Sequence, residues 1–307
     1  MKKVFIDGSA GTTGLRIAER LASREDLEVL QIDPLLRKDA DARKDCMNRA
    51  DVVFFCLPDD AAREAATLIE NENTAVIDTS TAHRTNPRWV YGFPELTGQR
   101  EKILASKRIA NPGCHASGFI ALVRPLTELG VLSDHAELTC FSLTGYTGGG
   151  KRMIADYEAA DRPFALEAPR QYGLTQAHKH LPEMQKFCNL KTAPVFCPIV
   201  APFATGMEVT VPLFASQLHG KKEEIEDIYR SYYASGLIRF SPQADADGCL
   251  TANALSGKDT MEVSVFGNEE RIVLTARFDN LGKGASGAAI QNMNLLLGVE
   301  ETTGLIV

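Results

Sequence analysis

The chain has 307 residues, of which 44% are apolar and 24% are charged. This composition is typical of a soluble globular protein, and the length allows two domains or one large domain. The formal net charge of -7 argues against nucleic acid as the main partner. No run of about 18 apolar residues is present, so we expect neither a membrane span nor a signal peptide.

The seven cysteines are scattered along the chain, and no two of them form a C-x-x-C pair. An odd number at such spacings argues against a disulfide framework and against a structural zinc site. We therefore expect reduced thiols and a cytoplasmic protein.

The first hundred residues alternate apolar strands with helices. The predicted strands cover residues 3–7, 27–32, 50–57 and 74–78, with helices over 15–21 and 60–70. This alternation with short connections predicts an α/β fold with a Rossmann-type, doubly wound parallel sheet. Residues 85–108 contain two prolines and two glycines and are predicted to be irregular.

A glycine-rich loop joins the first strand to the first helix. Its residues are Gly8, Ser9, Ala10, Gly11, Thr12, Thr13 and Gly14. Glycines at this position let the backbone approach a pyrophosphate, whose charge meets the helix N-terminus. The spacing G-x-x-G-x-x-G alone is also compatible with a plain tight turn. Within the alternating pattern it predicts a dinucleotide site, bordered by Pro58 after the third strand.

The residues after the second strand leave the choice of dinucleotide open. Asp33 closes this strand, where a carboxylate would bind the ribose hydroxyl of NAD. Arg37 and Lys38 follow, and they would instead receive the 2′-phosphate of NADP.

The turn Asn111–Pro112–Gly113 delivers Cys114 to the start of a helix, because residues 116–129 carry apolar side chains at helical spacing. Unpaired amides and the helix dipole favour the thiolate, with a pKa lowered from ~8.5 toward ~7. The same amides would stabilise an oxyanion. A buried structural cysteine is the alternative. His115 would either perturb the thiol or cap the helix.

Two further segments carry cations suited to anionic groups. Ser80 and Arg84 lie in one short loop after a strand, and Arg binds phosphate or carboxylate through two parallel hydrogen bonds. Lys151 and Arg152 follow the glycine-rich segment 145–150, which is predicted to be a loop. The alternatives are a surface ion pair for Arg84 and a plain surface loop for the segment with Lys151 and Arg152.

His178 and His180 point to the same side of an extended chain, and Glu183 follows the helix-opening Pro182. This pattern predicts an imidazole pair oriented by a carboxylate. Surface histidines or an H-x-H metal pair are the alternatives, but no matching motif supplies further metal ligands.

The second half of the chain predicts a different architecture. The predicted strands cover residues 137–144, 194–200, 207–215, 261–266 and 271–278. Their spacing predicts an α+β domain with a mixed or antiparallel sheet, on which a helix over 222–234 packs. The last helix, residues 284–298, is expected to return to the first domain. We therefore predict a discontinuous dinucleotide domain, residues 1–113 and 284–307, and a catalytic and dimerisation domain, residues 114–283.

Together, these features fit one chemistry. A thiolate attacks an activated acyl group, a nicotinamide reduces the thioester, and an imidazole moves the protons. A hydrolase would need no dinucleotide loop, and a simple dehydrogenase would need no cysteine. A non-catalytic dinucleotide sensor would have no use for Cys114 and the histidine pair.

The chain resembles the N-acetyl-gamma-glutamyl-phosphate reductases in their shorter form. The likeness runs through residues 8–14, 57–62, 78–84, 111–115, 142–151, 178–183, 280–288 and 291–294. The cysteine turn is shared with aspartate-semialdehyde dehydrogenases, whereas residues 145–151 and 178–183 are more specific to the acetylglutamyl enzymes. Where other members have an aromatic residue after the cysteine, this chain has His115.

The resemblance implies that NADPH reduces N-acetyl-γ-glutamyl phosphate to the semialdehyde with release of inorganic phosphate. Cys114 would be the nucleophile, and either His178 or His180 would carry the proton with Glu183 as partner. Further roles fall on two sets of residues: substrate or phosphate binding on Ser80, Arg84, Asn111, Lys151 and Arg152, and nicotinamide binding on Gly282, Gly284, Ser286 and Asn292.

The family also implies NADP(H) as the cofactor, no metal, and a homo-oligomer, either a dimer or a tetramer. Aspartyl phosphate and a carrier-linked aminoadipyl phosphate of lysine synthesis are the alternative substrates.

Overall fold

The computed structural model describes residues 1–245 and 247–307. They form two compact units. Unit 1 consists of Met1–Pro112 and Ala285–Leu305, and unit 2 consists of Gly113–Gly284 and Ile306–Val307. Within the described ranges, no helix combines the length and the apolar character needed to cross a membrane.

The strands are β1 (Lys2–Asp7), β2 (Leu27–Leu30), β3 (Val52–Phe55), β4 (Ala75–Asp78), β5 (Val90–Tyr91), β6 (Arg108–Ala110), β7 (Thr139–Gly145), β8 (Arg170–Gln171), β9 (Val195–Ala201), β10 (Met207–Phe214), β11 (Ile238–Phe240), β12 (Met261–Gly267) and β13 (Arg271–Phe278). The helices are α1 (Thr12–Leu21), α2 (Ala40–Arg49), α3 (Asp59–Thr67), α4 (Gln99–Leu104), α5 (Cys114–Glu128), α6 (Gly150–Glu158), α7 (Leu181–Phe187), α8 (Lys222–Tyr232) and α9 (Gly287–Leu297). A π-helical segment, Gly282–Ser286, precedes α9.

Unit 1 is built on a parallel sheet with the strand order β2-β1-β3-β4-β6-β5. Successive residues of β3 enter two different cores. Val52 and Phe54 pack with residues of α1 and α9, whereas Val53 and Phe55 pack with residues of α2 and α3. Helices therefore cover both faces, which explains why β3 is a continuous apolar run. The predicted Rossmann-type, doubly wound fold is confirmed.

Two parts of unit 1 differ from the prediction. Residues 85–108, expected to be irregular, contain β5, α4 and the first residue of β6. These elements are only two to six residues long, too short for a hydrophobic period to stand out. Helix α2 was also not predicted, because its sequence is mostly polar. It begins where the Asp39 carboxylate accepts a hydrogen bond from Ala42 N at 2.9 Å, and it buries Cys46 and Met47.

Unit 2 is built on a seven-stranded sheet with the order β11-β12-β13-β10-β7-β9-β8. The pairs β7–β9 and β11–β12 are parallel and the other pairs are antiparallel, so the predicted mixed sheet is confirmed. Helix α5 packs on β10 and β13, and α8 packs on α5 and on β11–β12. Two tyrosines of the α8 region fix this arrangement, since Tyr229 Oη and Tyr233 Oη donate to the carbonyls of Leu122 and Ala121 at 2.5 and 2.7 Å.

We expect Tyr229→Phe to lower the free energy of unfolding by about 1 kcal/mol, because the buried bond to the Leu122 carbonyl is lost. Tyr232→Phe is the matched control. The Tyr232 hydroxyl bonds Glu128 at 3.0 Å but is half-exposed, so water can replace the bond and the loss should stay below about 0.5 kcal/mol. Urea unfolding of both variants measures the difference, and equal losses would contradict the assignment of Tyr229 as the anchor.

Candidate active site

The glycine loop lies at the carboxyl end of β1. Gly11 N donates to Gly8 O at 3.0 Å, and α1 begins at Thr12 with no side-chain cap from Gly11. Gly8 has φ +88°, and a Cβ at this position would collide with the Cys56 carbonyl. Only glycine fits there, and the loop residues 9–11 are exposed. These open, uncapped amides fit the pyrophosphate of a dinucleotide.

The residues that would select the dinucleotide are all exposed. The Asp33 carboxylate accepts a hydrogen bond from Leu35 N at 2.8 Å, which forms a local turn. Arg37 and Lys38 follow in the same exposed segment. Pro58 is also exposed and stands directly before α3, two residues after Cys56.

Beneath the glycine loop lies an ion pair that sequence reasoning missed. Arg43 of α2 donates to the Asp7 carboxylate at 2.8 Å, and both side chains are buried. Burial raises the pKa of Asp7, and the Arg43 guanidinium opposes that shift. The pair anchors α2 at the end of β1. In the sequence, this ion pair could have been found only from the position of Arg43 on the buried side of α2. Because α2 was not predicted, that position was not recognised.

The loop after β4 is organised by the buried carboxylate of Asp78. This side chain accepts hydrogen bonds from Ser80 N at 2.9 Å and from Ser80 Oγ at 2.8 Å. His83 Nδ1 lies 2.7 Å from the same carboxylate. Ser80 is therefore fixed in the loop where the sequence placed it.

Arg84, expected to hold an anion, is buried and bonds backbone carbonyls. Its Nε donates to Asn111 O at 3.0 Å and its Nη2 donates to Thr79 O at 3.2 Å. Asn111 N in turn donates to Asp78 O at 2.8 Å. The guanidinium thus braces the end of β6 against the loop after β4.

Asn292 on α9 is fully buried and also meets this turn. Its Nδ2 donates to Gly92 O and to Ala288 O, both at 2.9 Å. The Asn111 side chain donates to Ala285 O at 3.1 Å. These amide contacts tie the start of α9 to the ends of β5 and β6.

Cys114 is the first residue of α5 and is partly exposed. Gly113 precedes it as the helix N-cap in an extended conformation and offers no side chain to the first-turn amides. The amide of Gly113 donates to the buried Glu183 carboxylate at 3.1 Å. Ser117 N and Ser117 Oγ both donate hydrogen bonds to Gly113 O, at 2.8 and 3.0 Å. The thiol therefore stands on a fixed helix start with uncapped amides.

Two histidines and a glutamate lie around the same turn. The rings of His178 and His180 are 4.8 Å apart. His180 N donates to His178 Nδ1 at 3.2 Å, so in neutral His178 the proton lies on Nε2. His180 is buried, with Nε2 4.0 Å from Glu183 Oε1, whereas His178 is half-buried. The structure brings both predicted imidazoles and Glu183 together.

His115 neither caps the helix nor faces solvent. Its ring nitrogens Nδ1 and Nε2 lie 2.6 Å from Ser142 Oγ and 2.8 Å from Tyr172 Oη. Burial, together with the charges of His178 and Lys179, lowers the pKa of His115 to about 3. The ring is therefore neutral at neutral pH. Sequence reasoning missed Ser142 and Tyr172, because only the folded sheet brings them to residue 115.

The segment 279–284 lies against Cys114. Asp279 accepts hydrogen bonds from the amides of Leu281 and Gly282 at 2.7 and 3.0 Å, and its carbonyl accepts one from Gly284 N at 3.0 Å. A Cβ on Gly284 would lie 3.0 Å from Cys114 Cβ. A glycine is therefore favoured at position 284, because the backbone there passes next to Cys114 and leaves no room for a side chain.

The glycine-rich segment 145–150 is not the loop that was expected. It forms a helical turn, Tyr146–Gly149, which leads directly into α6. Thr147 Oγ1 donates to Ala204 O at 2.7 Å and accepts a hydrogen bond from Asn280 Nδ2 at 3.0 Å. Lys151 and Arg152 are exposed in the first turn of α6. Within the described ranges, no group of three or more His, Cys, Asp or Glu residues could hold a metal ion.

Two family models match the chain. The semialdehyde dehydrogenase dimerisation domain matches residues 114–280, and the semialdehyde dehydrogenase NAD binding domain matches residues 35–105. Proteins named N-acetyl-gamma-glutamyl-phosphate reductase, from Brucella suis and Brucella ovis, are 47% identical over 306 residues, which is 96% of this chain and 99% of each relative. The chain belongs to the N-acetyl-gamma-glutamyl-phosphate reductase family. The resemblance stated from the sequence is confirmed.

Solved structures with the same fold are more distant in sequence. Aspartate semialdehyde dehydrogenase II from Vibrio cholerae matches with a TM-score of 0.72 at 17% identity, over 97% of this chain and 98% of that chain. The aspartate semialdehyde dehydrogenase with NADP from Candida albicans matches with a TM-score of 0.68 at 15% identity, over 97% and 99%. At these identities the likeness concerns the fold alone.

We expect Gly284→Ala to slow turnover about tenfold or more, because the new methyl group would press on Cys114 and shift its sulfur. Steady-state kinetics and the rate of Cys114 alkylation by iodoacetamide measure the effect. The affinity for NADPH should stay nearly unchanged. Weakened NADPH binding with normal alkylation would instead assign Gly284 to the nicotinamide, as the resemblance implies.

Proposed function

We propose that this member of the N-acetyl-gamma-glutamyl-phosphate reductase family reduces N-acetyl-γ-glutamyl phosphate with NADPH to N-acetylglutamate 5-semialdehyde and phosphate, in arginine biosynthesis. The observation that carries the proposal is Cys114 on a helix start whose preceding amide is bound by Glu183, beside two imidazoles. The names of relatives at 47% identity support the substrate. The cytoplasm is the compartment that fits a biosynthetic enzyme with reduced cysteines.

We divide the work between residues 1–113 with 284–307, which bind the dinucleotide, and residues 114–283, which carry the acyl chemistry and dimerisation. The open amides of residues 8–14 would hold the pyrophosphate. NADPH is favoured because Asp33 closes a local turn and two cations follow it. When bound, the reduced nicotinamide supplies the hydride that converts a thioester to an aldehyde.

Cys114 performs the first step as a thiolate. Its sulfur attacks the γ-carbonyl carbon, an S–C bond forms, and the bond from carbon to the phosphate oxygen breaks as phosphate leaves. The uncapped amides at the start of α5 stabilise the oxyanion that develops on the carbonyl. Glu183 keeps these amides in place by accepting the Gly113 N–H.

One imidazole of the pair moves the proton. It stabilises the Cys114 thiolate before attack, and it supplies a proton to the carbonyl oxygen when that oxygen gains negative charge. In His178 the Nδ1 atom accepts a backbone N–H, so Nε2 is the atom that exchanges the proton. In His180 the Nε2 atom lies 4.0 Å from the Glu183 carboxylate.

The anionic parts of the substrate require cations and donors. We assign the departing phosphate to the loop of Ser80, whose conformation Asp78 and Arg84 maintain, with Asn111 at the adjoining turn. We assign the substrate carboxylate to Lys151 and Arg152, which are exposed at the start of α6. Gly282, Ser286 and Asn292 are assigned to the segment that encloses the nicotinamide.

A homo-oligomer, dimer or tetramer, fits the outer face of the unit 2 sheet. Directly paired strand residues lie on one face of a sheet, and on this face the side chains of Phe141, Val195 and Phe214 are exposed. Exposed apolar side chains on one face of a sheet are typical of a protein interface. The dimerisation-domain match covers these strands.

The substrate is tested by running the reaction in reverse with NADP and phosphate. We expect activity with N-acetylglutamate semialdehyde and little with aspartate semialdehyde or an aminoadipate semialdehyde. Cys114→Ser should abolish turnover while NADPH binding stays nearly intact, because the serine lacks the thiolate nucleophile. Activity confined to the aspartyl substrate, or full activity of the serine variant, would overturn the proposal.

The histidine pair is tested by His178→Asn and His180→Asn in single-turnover experiments. We expect at least one variant to slow acylation by about 10²-fold or more, since that is the usual contribution of a positioned acid-base group. The variant with the larger loss identifies the proton carrier. Normal acylation in both variants would remove the segment 178–183 from the mechanism.

A further inference from the structure

Resting on the proposed function, we propose that Gln176 is a positioning residue that holds the His178 imidazole, and through it the histidine pair, in place. Its side-chain amide takes the place of a strand residue at the edge of β9 that faces away from β7. Gln176 is a surface residue to which the mechanism described above gives no role.

Strand β9 has one edge that a neighbouring strand covers only in part. On the opposite edge, Val195 N donates to Leu138 O at 2.8 Å, and β9 runs parallel to β7 from there. Successive residues of a strand present their peptide groups to opposite edges, so those of Phe196 face away from β7. On that side, β8 is only two residues long and pairs with the end of β9. Tyr172 N then continues the pairing by donating to Pro198 O at 3.0 Å.

The Gln176 amide takes the next place along this edge. Its Nε2 donates to Phe196 O at 2.8 Å, and its Oε1 accepts a hydrogen bond from Phe196 N at 2.8 Å. A primary amide offers the same donor and acceptor as a peptide group, so the side chain satisfies both backbone groups of Phe196. Because Phe196 is buried, an unpaired peptide group at this position would be costly.

The backbone of Gln176 lies in the left-handed region, with φ +55°. A residue with a Cβ is strained in this region, whereas glycine is not. Gly173 begins the same turn with φ +64°, and Gln176 N donates to Gly173 O at 3.0 Å. The turn alone would therefore favour glycine at position 176 as well. We attribute the glutamine to its two bonds with Phe196, which offset the strain.

His178 follows Gln176 by two residues, and its ring packs on the residue that Gln176 holds. The rings of His178 and Phe196 meet edge to face, with centroids 5.0 Å apart and an interplanar angle of 65°. The ring of Tyr172 lies 5.9 Å from the same imidazole. His178 Nδ1 accepts the amide proton of His180 at 3.2 Å, so the placement of the first imidazole also fixes the backbone that carries the second.

Residues 172–178 are thus bonded to β9 at Tyr172 N and at the Gln176 amide. Loss of the amide removes the bonds next to His178 and leaves the one six residues before it. The imidazole pair would then be displaced from its place on Phe196. A misplacement of about 1 Å in a reacting group can cost as much as ~10²-fold in rate. The position of the pair therefore matters whichever imidazole carries the proton.

Two substitutions separate the amide from the turn. Gln176→Gly removes the bonds to Phe196 but relieves the left-handed strain, so a residue needed only for the turn would tolerate it. Gln176→Glu keeps the length of the side chain and one bond, because a carboxylate accepts the Phe196 N–H but has no proton for Phe196 O. Asn189→Gly is the matched control, since Asn189 is exposed and also has φ +55°, but it follows α7 instead of pairing with β9.

The decisive measurement is the rate at which diethyl pyrocarbonate modifies the His178 imidazole, read by peptide mass spectrometry. The exposed His219 provides the internal reference. We expect the relative rate at His178 to rise severalfold in Gln176→Gly, because the half-buried ring is released, and to rise less in Gln176→Glu. Asn189→Gly should leave the rate unchanged.

Single-turnover kinetics measure the effect on the reaction. We expect Gln176→Gly to slow the acylation of Cys114 about tenfold, because the imidazole pair is misplaced. The KM for NADPH should stay nearly unchanged, since the glycine loop 8–14 is not altered. Thermal unfolding of each variant identifies a folding defect, and Gln176→Glu then carries the same comparisons as the milder variant.

Three results would overturn the proposal: an unchanged His178 reactivity in Gln176→Gly, an equal rise in Asn189→Gly, or normal acylation in a variant whose His178 has become more reactive. Modification by diethyl pyrocarbonate requires no turnover. A more reactive His178 in a protein that does not reduce N-acetyl-γ-glutamyl phosphate would therefore refute the proposed function while leaving the placement of His178 by Gln176 intact.

Discussion

The hydrogen bond from Gly113 N to the Glu183 carboxylate determines where the reactive sulfur stands. Glu183 is buried, so this carboxylate has little access to water and its partners are fixed. The same side chain faces His180 across 4.0 Å. One buried charge thereby positions the peptide before Cys114 and the neighbouring imidazole. A residue without a side-chain acceptor at this position would leave the Gly113 amide without its partner.

The fold was predictable from the sequence where the hydrophobic pattern was strong. Strand β3 is an apolar run because helices cover both of its faces. In α8, apolar residues recur every three or four positions because only one side of the helix packs on the protein. Helix α2 and the segment with β5, α4 and β6 were missed. Helix α2 is mostly polar, and the other elements are only two to six residues long, so neither leaves a periodic hydrophobic signal.

The candidate site was predictable to the extent that its groups are close in sequence. Cys114 could be recognised from the preceding turn, residues 111–113. His178 and His180 could be recognised from their spacing of two residues. The contacts of His115 depend on the register of β7 and β9, and its partner Tyr172 lies 57 positions further along the chain. No local pattern encodes such a contact. Arg84 was expected to hold an anion, whereas its bonds to backbone carbonyls became visible only in the fold.

Helix α5 is buried along most of its length, with residues 115–123 all inside the protein. The helix backbone that carries the sulfur is therefore fixed, so it cannot shift to meet an acyl chain that is a carbon too long or too short. Discrimination between acyl phosphates of different length must then come from the distance between Cys114 and the groups that bind the other end of the substrate. On the proposed assignment of the substrate carboxylate to Lys151 and Arg152, a change of substrate length would require a change in these exposed cations, since the backbone that carries the nucleophile is fixed.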